Sequence, residues 1–193
     1  MPGEDELQNL CVENIQSNLE ELPYSDLQVG SEVAIMKDCT FVYDDEIKLY
    51  LGHAKTDVAI YLESPELTSH LDESDHFKLY QNGDKEIRIP LVIIETKRGD
   101  EDGGGITTDS IRSRTIIARE INEIFPFCSY VFLADRASAV SPEKLHRAGK
   151  HFERFYTFDA ELDPKTFNED IYDDVIVPHL KNLSREGILS KID

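Results

Sequence analysis

The chain of 193 residues carries 39 Asp and Glu against 20 Lys and Arg, a formal net charge of −19, and is 40% hydrophobic. These values fit one globular domain with a real core; there is no apolar run long enough to span a membrane, and the charge argues against a simple nucleic-acid binder. Three cysteines without a CxxC, six scattered histidines and an acidic start, MPGEDELQNL, argue against a disulfide framework, a zinc site and a secretory or transit peptide, so a reducing cytoplasm is expected.

Residues 5–22, DELQNLCVENIQSNLEEL, place Leu7, Leu10, Cys11, Ile15, Leu19 and Leu22 at three- and four-residue steps. That spacing predicts an amphipathic helix, stopped by Pro23. SEVAIM and TFVY read as two short strands. IKLYLGHAKTDVAIYLES reads as a strand, a Gly-containing bend and a second strand from Thr56 to Leu62. Residues 63–76 are polar and interrupted by Pro65, the pattern of a loop. Asn82-Gly83 lies between two β-rich runs, a hairpin signal. The next run is almost wholly apolar from Leu91 to Ile94, as expected of a central strand covered on both faces.

RGDEDGGGITTDS reads as a flexible loop. It lacks the Gly-Lys-Ser/Thr of a phosphate cradle, and its acids would repel phosphate. A helix follows, with Thr107, Thr108 and Asp109 as cap candidates, and runs to about Phe125. SYVFLAD, residues 129–135, is another buried strand. SPEKLHRAGKHF opens a helix with Ser141 as cap and Pro142 at the first helical position. FYTF gives a short last strand, and NEDIYDDVIVPHLKNLSREG a closing helix bent at Pro178. This order predicts a single α/β domain, a mixed sheet sandwiched between helices.

The charge is unevenly spread. Residues 104–150 hold seven bases against five acids, so a polyanion would dock there in preference to the rest of the chain. Just before this stretch, IPLVIIETKRGD turns from apolar to charged. Residues two apart on a strand share a face, so Glu95 and Lys97 project together, with Thr96 opposite. Asp57 opens an earlier apolar strand on the face of Ala59 and Tyr61. If the two strands are neighbours, Asp57 and Glu95 can hold one divalent cation, and hard oxygen ligands suit Mg²⁺ or Mn²⁺. Lys97 would then orient or deprotonate a water, or balance charge on a phosphate. The alternative is a structural ion pair at a strand end. On the following helix, Ile117, Ala118, Ile121, Ile124 and Phe125 define a buried face, and Ser110 and Arg114 fall on it one and two turns earlier. Arg114 is expected to point at the sheet near Lys97, as a site residue or as an arginine whose stem merely lines a helix start.

The segments KTDVAIYL and IPLVIIETKRG, with the helix after them, resemble the PD-(D/E)XK nuclease superfamily. They are most similar to the N-terminal nuclease domains of type I restriction R subunits. The resemblance covers Leu7 to Leu133 in element order and these two segments in residues. It implies a restriction-endonuclease-like three-layer sandwich spanning 1–193, with a hairpin insertion around 63–89. It also implies a metal-dependent DNA endonuclease. Asp57 and Glu95 would bind the metal, joined by the Thr96 backbone carbonyl and, from the first helix, Glu6. Lys97 would handle the attacking water, and Arg114 and Ser110 would contact substrate. Thr56 stands where the family name has Pro. Because so acidic a chain binds DNA weakly alone, a homodimer or a separate basic specificity subunit is expected. The alternative function is a non-catalytic acidic interaction protein, a DNA mimic or an inactive nuclease-fold subunit.

Overall fold

Two long strands, β1 (Leu27–Tyr43) and β2 (Ile47–Glu63), pair antiparallel from Leu27↔Leu62 to Tyr43↔Ile47. They belong to a computed structural model that describes residues 2–81, 86–100, 105–138, 140–150 and 152–190. The sequence divides each of these strands in two; the chain runs them through. Gly52, expected at a bend, stays in the ladder opposite Asp38, beside a bulge between Met36 and Asp38. A Cβ at Gly52 would lie 2.1 Å from the Asp38 carboxylate, so glycine here permits a close approach, not a turn.

The loop expected over 63–76 contains a helix, α2 (Pro65–Asp72), with proline in its first turn. The run after it, β3 (Lys78–Gln81), pairs parallel with Lys48–Leu51 of β2. The segment expected to form a hairpin holds a helix and a strand, the strand lying beside the outer half of β2; Asn82-Gly83 itself lies outside the described residues. β4 (Arg88–Arg98) pairs antiparallel with the inner half of β2 and parallel with β5 (Ser129–Asp135), which pairs parallel with β6 (Arg154–Thr157). The mixed six-stranded sheet has the order β1-β2-β4-β5-β6, with β3 on β2. β4 is central, as its apolar run requires, and every residue from Pro90 to Thr96 is buried.

Helices cover both faces. On one lie α1 (Pro2–Leu19) and the closing helix. Leu7, Cys11 and Ile15 of α1 are fully buried against Val58, Ile60, Val92 and Ile94. The closing helix has three parts: α5 (Pro164–Thr166), a π-helical segment (Phe167–Ile176) and α6 (Val177–Arg185). Pro178 falls in the first turn of α6, directly after the wider π turns. On the other face lie α3 (Thr108–Ile124) and α4 (Pro142–Ala148), packed on Ala59, Ile93, Tyr130 and Phe132. The buried stripe of α3 includes Ile111 and Thr115 besides the expected Ala118 and Ile121. Ser141 precedes α4 but makes no side-chain cap. Among the described residues no helix is long and apolar enough to cross a membrane.

A buried ion pair joins the ends of β4 and β5 and reaches α1 through the exposed Glu6. Arg98 Nε donates to Asp135 Oδ2 at 2.8 Å, and both side chains are almost fully enclosed. Asp135 Oδ1 also accepts the Leu162 N–H at 3.0 Å. Arg98 Nη1 reaches Glu6 at 3.1 Å and Glu161 at 3.4 Å. Breaking a buried pair leaves an uncompensated charge, so Asp135→Ala is expected to cost about 3 kcal/mol. Urea unfolding measures this; a loss below about 1 kcal/mol would show the pair to be dispensable.

Candidate functional site

The site forms where two ladders release one residue. β2 and β4 pair as far as Val58↔Ile94, and the next position would set Asp57 against Glu95. On the other side β1 steps from Ser31↔Val58 to Val33↔Thr56, and Glu32 between them has a left-handed φ of 51°. Asp57 thus has no ladder partner on either edge. Its Oδ2 instead accepts the Thr96 N–H at 2.8 Å and the Thr96 hydroxyl at 3.3 Å. Two carboxylates directly opposite on one face repel, which a proton on one of them or a cation beside them relieves.

Arg114 of α3 supplies one. Its Nη2 donates to Asp57 Oδ1 at 3.3 Å, and its Nε lies 3.2 Å from Glu95 Oε2. Nη1 donates to the Lys55 carbonyl at 3.4 Å. Helix α3 is aimed by a capping box in which Thr107 and Ser110 exchange side-chain and backbone hydrogen bonds. Ser110, expected at the substrate, spends its hydroxyl on this cap.

Glu95 is fully buried. Its Oε1 accepts from the Tyr130 hydroxyl at 2.8 Å, whereas Oε2 accepts no hydrogen bond. The Arg114 Nε near Oε2 therefore attracts by charge without hydrogen-bond geometry. Burial pushes the Glu95 carboxyl up to about 8, and the neighbouring Asp57 adds to the rise; Arg114 and Tyr130 pull the other way. The Tyr130 phenol is raised by burial and then by Glu95. For Arg114, burial opposes the charge but Glu95 and Asp57 outweigh it, so its proton is held more tightly than usual.

Lys97, half-buried, pairs with Glu4 in the first turn of α1. Glu6 pairs with Arg98 instead, on the α1 side of the sheet. The first-helix carboxylate beside Lys97 is therefore Glu4, and Glu6, expected at the metal, pairs with Arg98. The helix begins at Pro2 and not near Asp5, which brings Glu4 into its first turn. Thr96 meets the site through its N–H and hydroxyl. Among the described residues no group of three or more His, Cys, Asp or Glu side chains is arranged to hold a metal ion. The oxygens that face one another here are those of two carboxylates. A groove of about 420 Å³ between β1 and β2 is lined by Glu32, Lys55, Tyr61 and Arg88 and by none of Asp57, Glu95, Lys97 and Arg114. Arg88 lies over the Tyr61 ring, 5.7 Å from its centre. No protein-family model matches the chain, and no curated protein matches it.

Proposed function

We propose that the chain is a divalent-cation-dependent DNA endonuclease of restriction-endonuclease-like fold, acting in a restriction or DNA-processing system in the cytoplasm. The observation that carries this is Glu95 Oε2, a buried carboxylate oxygen without a hydrogen bond, beside the carboxylate of Asp57. A carboxyl oxygen in such a place needs either a proton or a cation, and two facing carboxylates suit a hard cation. The two carboxylates therefore fit Mg²⁺ or Mn²⁺, and the resemblance to the nuclease superfamily adds the Thr96 backbone carbonyl as a third oxygen. When bound, such a cation supplies charge that stabilises the pentavalent phosphate and acidifies water.

The chain's own residues do the rest. Asp57, Glu95 and Lys97 are the catalytic set. Lys97, on the same strand face as Glu95, orients the attacking water and offsets charge that develops on the phosphate. Its pairing with Glu4 holds the ammonium at the site. Arg114 steadies the phosphate backbone, and the groove past Lys55 and Arg88 receives the flanking strand. A formal charge of −19 opposes DNA binding by one chain alone, so a homodimer or a basic subunit completes the assembly.

Supercoiled plasmid incubated with the protein and Mg²⁺ or Mn²⁺ should be nicked or linearised, and EDTA should stop the reaction. The acidity also favours a second reading, a non-catalytic acidic interaction protein. Failure to cut any DNA, together with tight binding to another nuclease, would establish that one instead.

A further inference from the structure

Among the arginines that meet carboxylates at this end of the sheet, Arg98 and Arg114 are held very differently. Arg98 is locked among Asp135, Glu6 and Glu161, with its side chain 3% exposed. Arg114 keeps 36% of its side chain exposed. Its contacts are long, 3.2 to 3.4 Å, and the one to Glu95 lacks hydrogen-bond geometry.

The oxygens that Arg114 takes are the informative part. Asp57 Oδ2 is committed to Thr96, and Glu95 Oε1 to Tyr130. That leaves Asp57 Oδ1 and Glu95 Oε2, the two atoms facing the guanidinium. A cation bridging the carboxylates would need the same two oxygens. Guanidinium and cation cannot both occupy them, and their like charges repel.

We infer that Arg114 is a resident counter-ion that holds Asp57 and Glu95 until a divalent cation displaces it, and so sets the cation concentration at which the site loads. This rests on Asp57 and Glu95 being the cation ligands. Without the cation, Arg114 offsets the negative charge that Asp57 and Glu95 carry at the end of the ladder. With the cation present, the exposed side chain turns outward and its guanidinium is free for a phosphate oxygen. Arg114 acts here as a positioning residue that governs access to the carboxylates.

The test is calorimetric titration of the whole chain with MnCl₂ alone, comparing wild type, Arg114→Ala and Asp57→Asn. If the guanidinium holds the oxygens at least nine-tenths of the time, its removal tightens Mn²⁺ binding about tenfold or more. Arg114→Gln, which keeps more of the side chain's bulk, should behave alike and serves if the alanine variant folds poorly. Thermal melting gives a second readout, because MnCl₂ should raise the midpoint of either Arg114 variant more than that of wild type. Equal affinity in wild type and both Arg114 variants, with binding lost in Asp57→Asn, would overturn the inference and leave the cation site standing. Absence of binding in every protein, or binding that Asp57→Asn does not weaken, would overturn the cation site and the inference with it.

Discussion

Lys97→Ala is expected to lower DNA cleavage by about 10²–10⁴-fold while leaving DNA binding within about twofold. The range is that of a positioned acid–base or charge-stabilising group acting in the transition state. Lys97 is half-buried and paired with Glu4, so its ammonium is already oriented and has little freedom to lose. Removing it should leave Asp57 and Glu95 where they are, since their contacts run to Thr96, Tyr130 and Arg114. Single-turnover cleavage and a filter-binding assay separate the two effects. A parallel loss of binding and cleavage would make Lys97 an anchor for DNA and not a catalytic group. Arginine at position 97 restores charge but cannot release a proton, so Lys97→Arg should recover little activity if Lys97 moves a proton and more if it only supplies charge.

The second large effect is on stability. In the folded chain the Glu95 carboxyl ionises at about 8, against 4.5 for a free glutamate, because burial and then Asp57 disfavour its charge. Between those values the folded state holds a proton that the unfolded state releases. The contribution to stability is therefore fully present below about pH 4.5 and is lost as pH rises through 8. The loss is on the order of 5 kcal/mol, each pH unit in the window being worth about 1.4 kcal/mol before relaxation of the site. Glu95→Gln has nothing to ionise there and can keep an oxygen for the Tyr130 hydroxyl. In EDTA, urea unfolding from pH 5 to 9 should show wild type losing stability relative to Glu95→Gln. Parallel curves would mean that Glu95 ionises normally. Added Mn²⁺ should flatten the wild-type curve if a cation meets the charge that burial penalises.

Much of the site's placement is legible in the sequence because it follows from local periods. Period-two parity puts Asp57 with Ala59 and Tyr61, and Glu95 with Ile93, and the sheet sets that face against α3. A rotation of 100° per residue aims Arg114 at the sheet, where it meets both carboxylates. Parity fails at Leu91. A register shift opposite Ile60 and Tyr61 leaves it between paired residues, and it joins the α1 layer, not the face of Ile93. No local pattern announces such a bulge.

Other features depend on tertiary partners. Tyr130 reads as one more apolar residue in SYVFLAD, yet its hydroxyl binds Glu95. A polar-tipped residue in an otherwise apolar strand, in parity with Phe132 on the α3 face, is the available signal, because a buried Tyr hydroxyl needs a partner. Glu4 was hidden by the helix start, since Pro2 is tolerated in a first turn but gives no apolar period. Helix α2 escapes because Pro65 reads as a breaker; β3 is legible as a β-rich run, but its parallel pairing with β2 is non-local and is not.

All the chemistry proposed for this chain passes through one cation shared by Asp57 and Glu95. A crystal of the protein grown with MnCl₂ and measured for anomalous scattering tests this directly. The expected result is one Mn²⁺ peak within ligand distance, about 2.2 Å, of an oxygen from each carboxylate, with Arg114 turned away from both. Well-ordered density in saturating MnCl₂ with Arg114 still bridging the pair, and no peak between the carboxylates, would contradict it.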